Sequence, residues 1–128
     1  MNLLLDTVTF LWWVSGDPAV TADARAAIAD PTRRVFLSSV SAWEITVKHG
    51  LGKLPLSESP QALIPRLRRD HSFEELALCE AAVLQLPRLP ALHRDPFDRM
   101  LVCQSIEHGL TIVTPDEAVR EYPVRTLW

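Results

Sequence analysis

The sequence predicts an α/β fold built on a central, mainly parallel sheet of four to five short strands. Two short runs, Leu3-Leu4-Leu5 and Val35-Phe36-Leu37, are continuously apolar, as strands covered on both faces are, and Thr111-Ile112-Val113 is a third short run made only of β-branched residues. Between them lie helix-like segments punctuated by Pro, Gly and capping residues, long enough to serve as crossovers between parallel strands.

Taken in order, residues 2–5 form the first strand and Asp6 stands at its carboxyl end. Asp6 has two readings: the cap of the Trp-rich helix that follows from Thr7, or a ligand residue, since open α/β sheets bind ligands beyond the carboxyl ends of their strands. Residues 15–18 make a turn, and Thr21 caps a helix over 22–29 that Asp30-Pro31 closes. The second strand, 35–37, runs out at Ser38-Ser39. Ser41 and Glu44 match an S-x-x-E capping box for a helix reaching about His49, and Glu44 also stands four residues before Lys48, a salt-bridge spacing.

Ser57 or Ser59 opens a helix to Arg69, in which Pro65 predicts a kink or an early stop. Residues 73–78 suit a third strand, 80–86 a short helix ended by Pro87, and 87–93 a proline-punctuated loop outside the core. Asp95 as cap and Pro96 at the first position begin an apolar helix that His108-Gly109 ends. Asp98 shares its inward stripe with Leu101 and Val102, a poor place for a solvated charge. After the fourth strand, 111–113, Thr114 and Glu117 predict a second capping box around Pro115, which leaves Asp116 without capping duty. Residues 122–128 give a last strand at the sheet edge.

A chain of 128 residues suits one domain spanning 1–128. Its net charge of −3 disfavours a surface that binds nucleic acid through a broadly basic face, although arginines cluster at 33–34, at 66–69 and at 88, 94 and 99. No apolar run spans a bilayer and no basic leader precedes the Leu run, so a soluble, unprocessed, cytoplasmic protein is expected. Cys79 and Cys103 lack metal-ligand spacing and read as buried thiols. Trp12, Trp13 and Trp43 read as core or dimer residues.

Right-handed crossovers bring the carboxyl ends of parallel strands to one edge, so the acids after strands one, two and four meet there, with Asp98 joining them if its helix packs alongside. Two carboxylates about 4 Å apart repel by roughly 4 kcal/mol at an effective dielectric near 20, so such a cluster requires a cation or a shared proton. Oxygen-only ligands select Mg²⁺ or Mn²⁺, which can activate water for in-line attack on a phosphodiester.

Leu3-Leu4-Leu5-Asp6-Thr7, Ser41-Ala42-Trp43-Glu44-Ile45 with Lys48 and Leu51-Gly52-Lys53-Leu54, His93-Arg94-Asp95-Pro96-Phe97-Asp98-Arg99, and Thr111-Ile112-Val113-Thr114-x-Asp116 together resemble PIN-domain proteins, especially the VapC toxins of bacterial toxin–antitoxin pairs. That resemblance covers essentially the whole chain. It implies a three-layer α/β/α sandwich, a Mg²⁺- or Mn²⁺-dependent endoribonuclease, a homodimer, and inhibition by a VapB-type antitoxin. It assigns Asp6, Glu44, Asp98 and Asp116 to catalysis and metal binding, with Thr114, Thr7 and Asp95 supporting them. Arg94, Arg99 and Lys48 are candidates for contacting RNA or antitoxin. Val8 departs from the His or Ala often found there. Two rivals stay open: a phosphatase using Asp6 as nucleophile, which a D-x-D motif would favour but Val8 does not supply, and a non-catalytic PIN-like or receiver-like module that only binds a partner.

Overall fold

Leu3–Leu5 forms the central strand, β1, of the computed structural model, which describes residues 1–91 and 95–128. The chain continues through α1 (Thr7–Ser15), α2 (Ala22–Ala29), β2 (Val35–Ser38), α3 (Ser39–Gly50), α4 (Pro60–Asp70), β3 (Glu74–Leu76) and α5 (Glu80–Val83). A 3₁₀ turn at Leu86–Arg88 then leads to α6 (Pro96–His108), β4 (Thr111–Val113), α7 (Glu117–Arg120) and β5 (Arg125–Leu127). The five strands lie in the order β3-β2-β1-β4-β5, every pair parallel.

Strand periodicity builds two apolar layers, because successive side chains point to opposite faces. Leu3, Leu5, Val35 and Leu37 pack on one face with Phe10 of α1, Ile28 of α2 and Ile64 of α4. Leu4, Phe36 and Ile112 pack on the other with Leu101 and Val102 of α6 and Val119 of α7. Helix α3 serves both, sending Ile45 to the first layer and Val40 to the second. The sheet is thus the middle of three layers, as expected. The three leucines of β1 have no solvent exposure, and burying each stabilises the fold by about 1.5–3 kcal/mol.

From β1 the chain steps outward to β2 and β3, then returns past the centre to set β4 on the other side of β1. The direction of winding therefore reverses between β1 and β4. Such a switch point opens a crevice at the carboxyl ends of the strands, and Asp6 and Asp116 follow the two strands that flank it.

Several local expectations are corrected. Helix α3 opens at Ser39: the hydroxyl of Ser38, the last residue of β2, accepts from Val40 N at 2.9 Å and so makes the cap three residues before the expected Ser41. Ser41 and Glu44 sit inside the helix and are buried. Pro65 neither stops α4 nor confines it, since Ile64 and Leu67 hold the helix on the core through to Asp70. The helix at 80–86 ends at Val83, and Leu89, assigned outside the core, is buried in the second layer. Cys103 is buried as expected but Cys79 is exposed. Of the two readings of Trp43, its 51% exposure excludes the core one, whereas Trp12 and Trp13 pack against the first layer.

Candidate active site

Asp6 joins β1 to two neighbours. Its Oδ1 caps α1 by accepting from Thr9 N at 2.8 Å, and its Oδ2 accepts from the Thr114 hydroxyl beyond β4. Thr9 Oγ1 donates to Val113 O at 2.9 Å, tying the same helix start to β4. Asp6 is therefore the cap of α1 through Oδ1, while Oδ2 ties it to Thr114 beyond β4. Its carboxyl is 4% exposed; burial raises its pKa, the hydroxyl and amide donors from Thr114 and Thr9 oppose that, and the charge of Asp116 adds to it.

Glu44 reaches the site from the interior of α3, where it is 5% exposed. Thr7 Oγ1 donates to its Oε1 at 2.6 Å, and Lys48, one turn later, pairs with its Oε2. Ser41 Oγ lies 3.0 Å from the same Thr7 hydroxyl, so Ser41, Glu44 and Lys48 present one helix face to the start of α1.

Asp95 caps α6, its Oδ1 accepting from Phe97 N at 2.9 Å and Asp98 N at 3.3 Å. This places Asp98 in the first turn, half-buried. Burial pushes the Asp98 carboxyl up to about 7, reinforced in turn by the charges of Asp95, Glu44, Asp6 and Asp116. Asp98 therefore lies within electrostatic reach of the other candidate acids.

Asp116 has the capping duty denied it from sequence. It caps α7 by accepting from Ala118 N at 2.9 Å, while its own N–H donates to Thr114 Oγ1 at 3.0 Å. Thr114 is thus not the cap; its hydroxyl links Asp116 to Asp6 instead. The short helix begins at Glu117, so the cap falls one residue before Glu117 rather than three.

Among the described residues, no three His, Cys, Asp or Glu side chains converge into a ready-made cation cage. Hydroxyl groups link the acids instead: Thr114 ties Asp6 to Asp116, and Thr7 ties the start of α1 to Glu44. Of the three candidate contact residues, Lys48 stands at Glu44, and Arg99 Nη1 donates to Pro90 O at 3.1 Å and Tyr122 Oη at 3.2 Å. Arg94 lies outside the described residues. Sequence reasoning missed Ser41 as part of the Thr7–Glu44 network; its i, i+3 spacing to Glu44 was the available signal, taken for a cap.

The family model described as PIN domain matches residues 3–124. The chain belongs to the PIN-domain family. Among curated relatives, this PIN-domain chain is 31% identical over 119 residues to Ribonuclease VapC16 of Mycobacterium tuberculosis, a match covering 86% of the chain and 77% of the relative. Among solved structures, it superposes with TM-score 0.75 and 15% identity on a chain of VapBC2 from Rickettsia felis bound to a promoter DNA fragment, covering 99% of this chain and 98% of that one. A chain of DNA-bound VapBC from Salmonella typhimurium gives 0.70 and 20%, covering 99% and 97%. These likenesses establish the PIN-like α/β/α fold.

Proposed function

We propose that this chain is one PIN domain over 1–128 and acts as a metal-dependent endoribonuclease toxin of a toxin–antitoxin pair, hydrolysing RNA phosphodiester bonds. The observation that carries the reading is that Thr114 ties Asp6 to Asp116 and Thr7 ties the start of α1 to Glu44 at the carboxyl edge of the sheet. Membership of the PIN family and the relation to a VapC ribonuclease support it.

The donor chemistry fits a hard divalent ion. Every candidate ligand is a carboxylate, and Asp6 and Asp98 both resist ionisation in a pocket of like charge, a cost that a cation relieves. In this proposal Asp6, Glu44, Asp98 and Asp116 hold Mg²⁺ or Mn²⁺. When bound, such an ion lowers the pKa of a water nucleophile and neutralises the leaving oxygen. The protein residues position and balance charge: Thr114 fixes Asp6 Oδ2, Thr7 fixes Glu44 Oε1, and Asp95 holds the first turn of α6 so that Asp98 faces the pocket. No carboxylate serves as a covalent nucleophile.

A VapB-type antitoxin is the proposed inhibitor. A groove of about 610 Å³ lined by Phe10, Leu11 and Val14 of α1, Leu56, and Leu63 and Leu67 of α4 offers an apolar seat for a partner helix. A homodimer is proposed as well, supported by the exposed Trp43, Val83 and Leu84. Among the described residues no helix is long and apolar enough to cross a membrane.

The test is incubation of antitoxin-free protein with total RNA, with Mg²⁺ or Mn²⁺ and with chelator, followed by mapping of cut ends. Ion-dependent cleavage that Asp6→Asn and Asp98→Asn abolish is the expected result; cleavage retained by both variants refutes the site. The open spacing of the acids favours one second reading, a partner-binding PIN module without catalysis. Ion binding with no RNA cleavage would establish that module instead.

A further inference from the structure

The acid pocket contains a positive charge that the proposed chemistry leaves without a task. Lys48 Nζ donates to Glu44 Oε2 from one turn further along α3, and the same ammonium feels the charges of Asp95 and Asp98 at the start of α6. Its side chain is 44% exposed where that of Glu44 is 7% exposed, so Lys48 reaches over the carboxylate from solvent.

We propose that Lys48 is the resident counter-ion of Glu44, a positioning residue that balances this carboxylate in the ion-free protein and competes with a divalent ion for it. The inference rests on the metal reading above. Glu44 has one oxygen on the neutral Thr7 hydroxyl and the other on Lys48. Without Lys48, a carboxylate 5% exposed would keep a single hydroxyl donor beside further acids, and a buried charge stripped of its partner is strongly destabilising. An ion arriving at Oε2 meets that ammonium and must share or displace it. The flexible four-carbon stem lets Lys move aside, whereas the planar fork of Arg would stay on the carboxylate. An ordinary i, i+4 helix pair contributes only a few tenths of a kcal/mol and has no bearing on ion binding, so the two roles separate experimentally.

The experiment titrates Mn²⁺ into wild-type, Lys48→Met and Lys48→Arg proteins by calorimetry and follows thermal unfolding with and without the ion. Lys48→Met is expected to bind Mn²⁺ about tenfold more tightly, the order expected when one unit charge near a divalent ion is removed through a water-like dielectric. Its ion-free unfolding temperature falls, while that of its Mn²⁺-saturated form stays at the wild-type value. Lys48→Arg binds Mn²⁺ more weakly than wild type. Equal affinity in all three proteins, or weaker binding by Lys48→Met, overturns the competition and leaves the metal reading standing. Absence of Mn²⁺ binding by wild type overturns both.

Discussion

Two buried polar pairs lie at the carboxyl edge of the same sheet, and they are built from opposite chemistry. At the end of β2, Ser38 Oγ donates to Gln104 Oε1 at 2.5 Å while accepting from Val40 N, and Gln104 Nε2 reaches Ala77 O at 3.4 Å. Both side chains have no solvent exposure, and both are neutral. At the end of β1, Asp6 accepts from Thr114 and Thr9, yet burial and the charge of Asp116 still raise its pKa. Hydrogen bonds suffice for the amide and hydroxyl but not for clustered carboxylates. A sheet edge that needed only cohesion would use the neutral solution twice; charge retained at this cost points to a ligand that carries the opposite sign.

The contrast breaks most sharply at Asp98. Asp98→Asn is expected to lower RNA cleavage by about 10³-fold, roughly 4 kcal/mol of transition-state stabilisation, while the ion-free protein unfolds at a higher temperature because a repelled carboxylate is gone. A variant that loses activity together with stability would make Asp98 a structural acid. Removal of divalent ions comes next: at an ion concentration one hundred times Kd, bound ion stabilises the fold by about 2.7 kcal/mol. Chelator should therefore lower the unfolding temperature of wild type and leave Asp98→Asn nearly unmoved, as differential scanning calorimetry would record. Gln104→Ala tests the neutral pair, costing about 1–3 kcal/mol in urea unfolding by stranding the Ser38 hydroxyl, with cleavage per folded molecule unchanged.

A further test is of pH. Asp98 titrates in the fold at about 7, above its ordinary 3.8, so between those values the folded chain binds a proton that the unfolded chain has lost. The stability this proton confers is full below the unfolded pKa and disappears as pH rises through 7. Ion-free wild type should accordingly lose stability from about pH 4 to pH 7 relative to Asp98→Asn and level off above that, measured as the difference in their unfolding midpoints. Parallel curves for the two proteins would remove Asp98 from the pocket.

Local chemistry determined much of this protein before any fold was considered. Continuous apolar runs are legible as buried strands because a strand covered on both faces tolerates no polar alternation, so β1 and β2 were evident at Leu3 and Val35, and β4 by its β-branched run from Thr111. The Asp95-Pro96 start and the Gly109 end of α6 were equally evident, since a cap and a left-handed terminator act within one turn. Wherever two residues were chemically fit for one role, tertiary structure decided. Ser38 displaced Ser41 as the cap of α3, freeing Ser41 and Glu44 to meet Thr7 some 34 and 37 residues away. Asp116 took the cap that Thr114 had been assigned, freeing the threonine hydroxyl for Asp6 across 108 residues. Capping propensity is a property of a few neighbouring residues; which carboxylate is left to face a shared pocket depends on which strands lie side by side, and only the packed sheet specifies that.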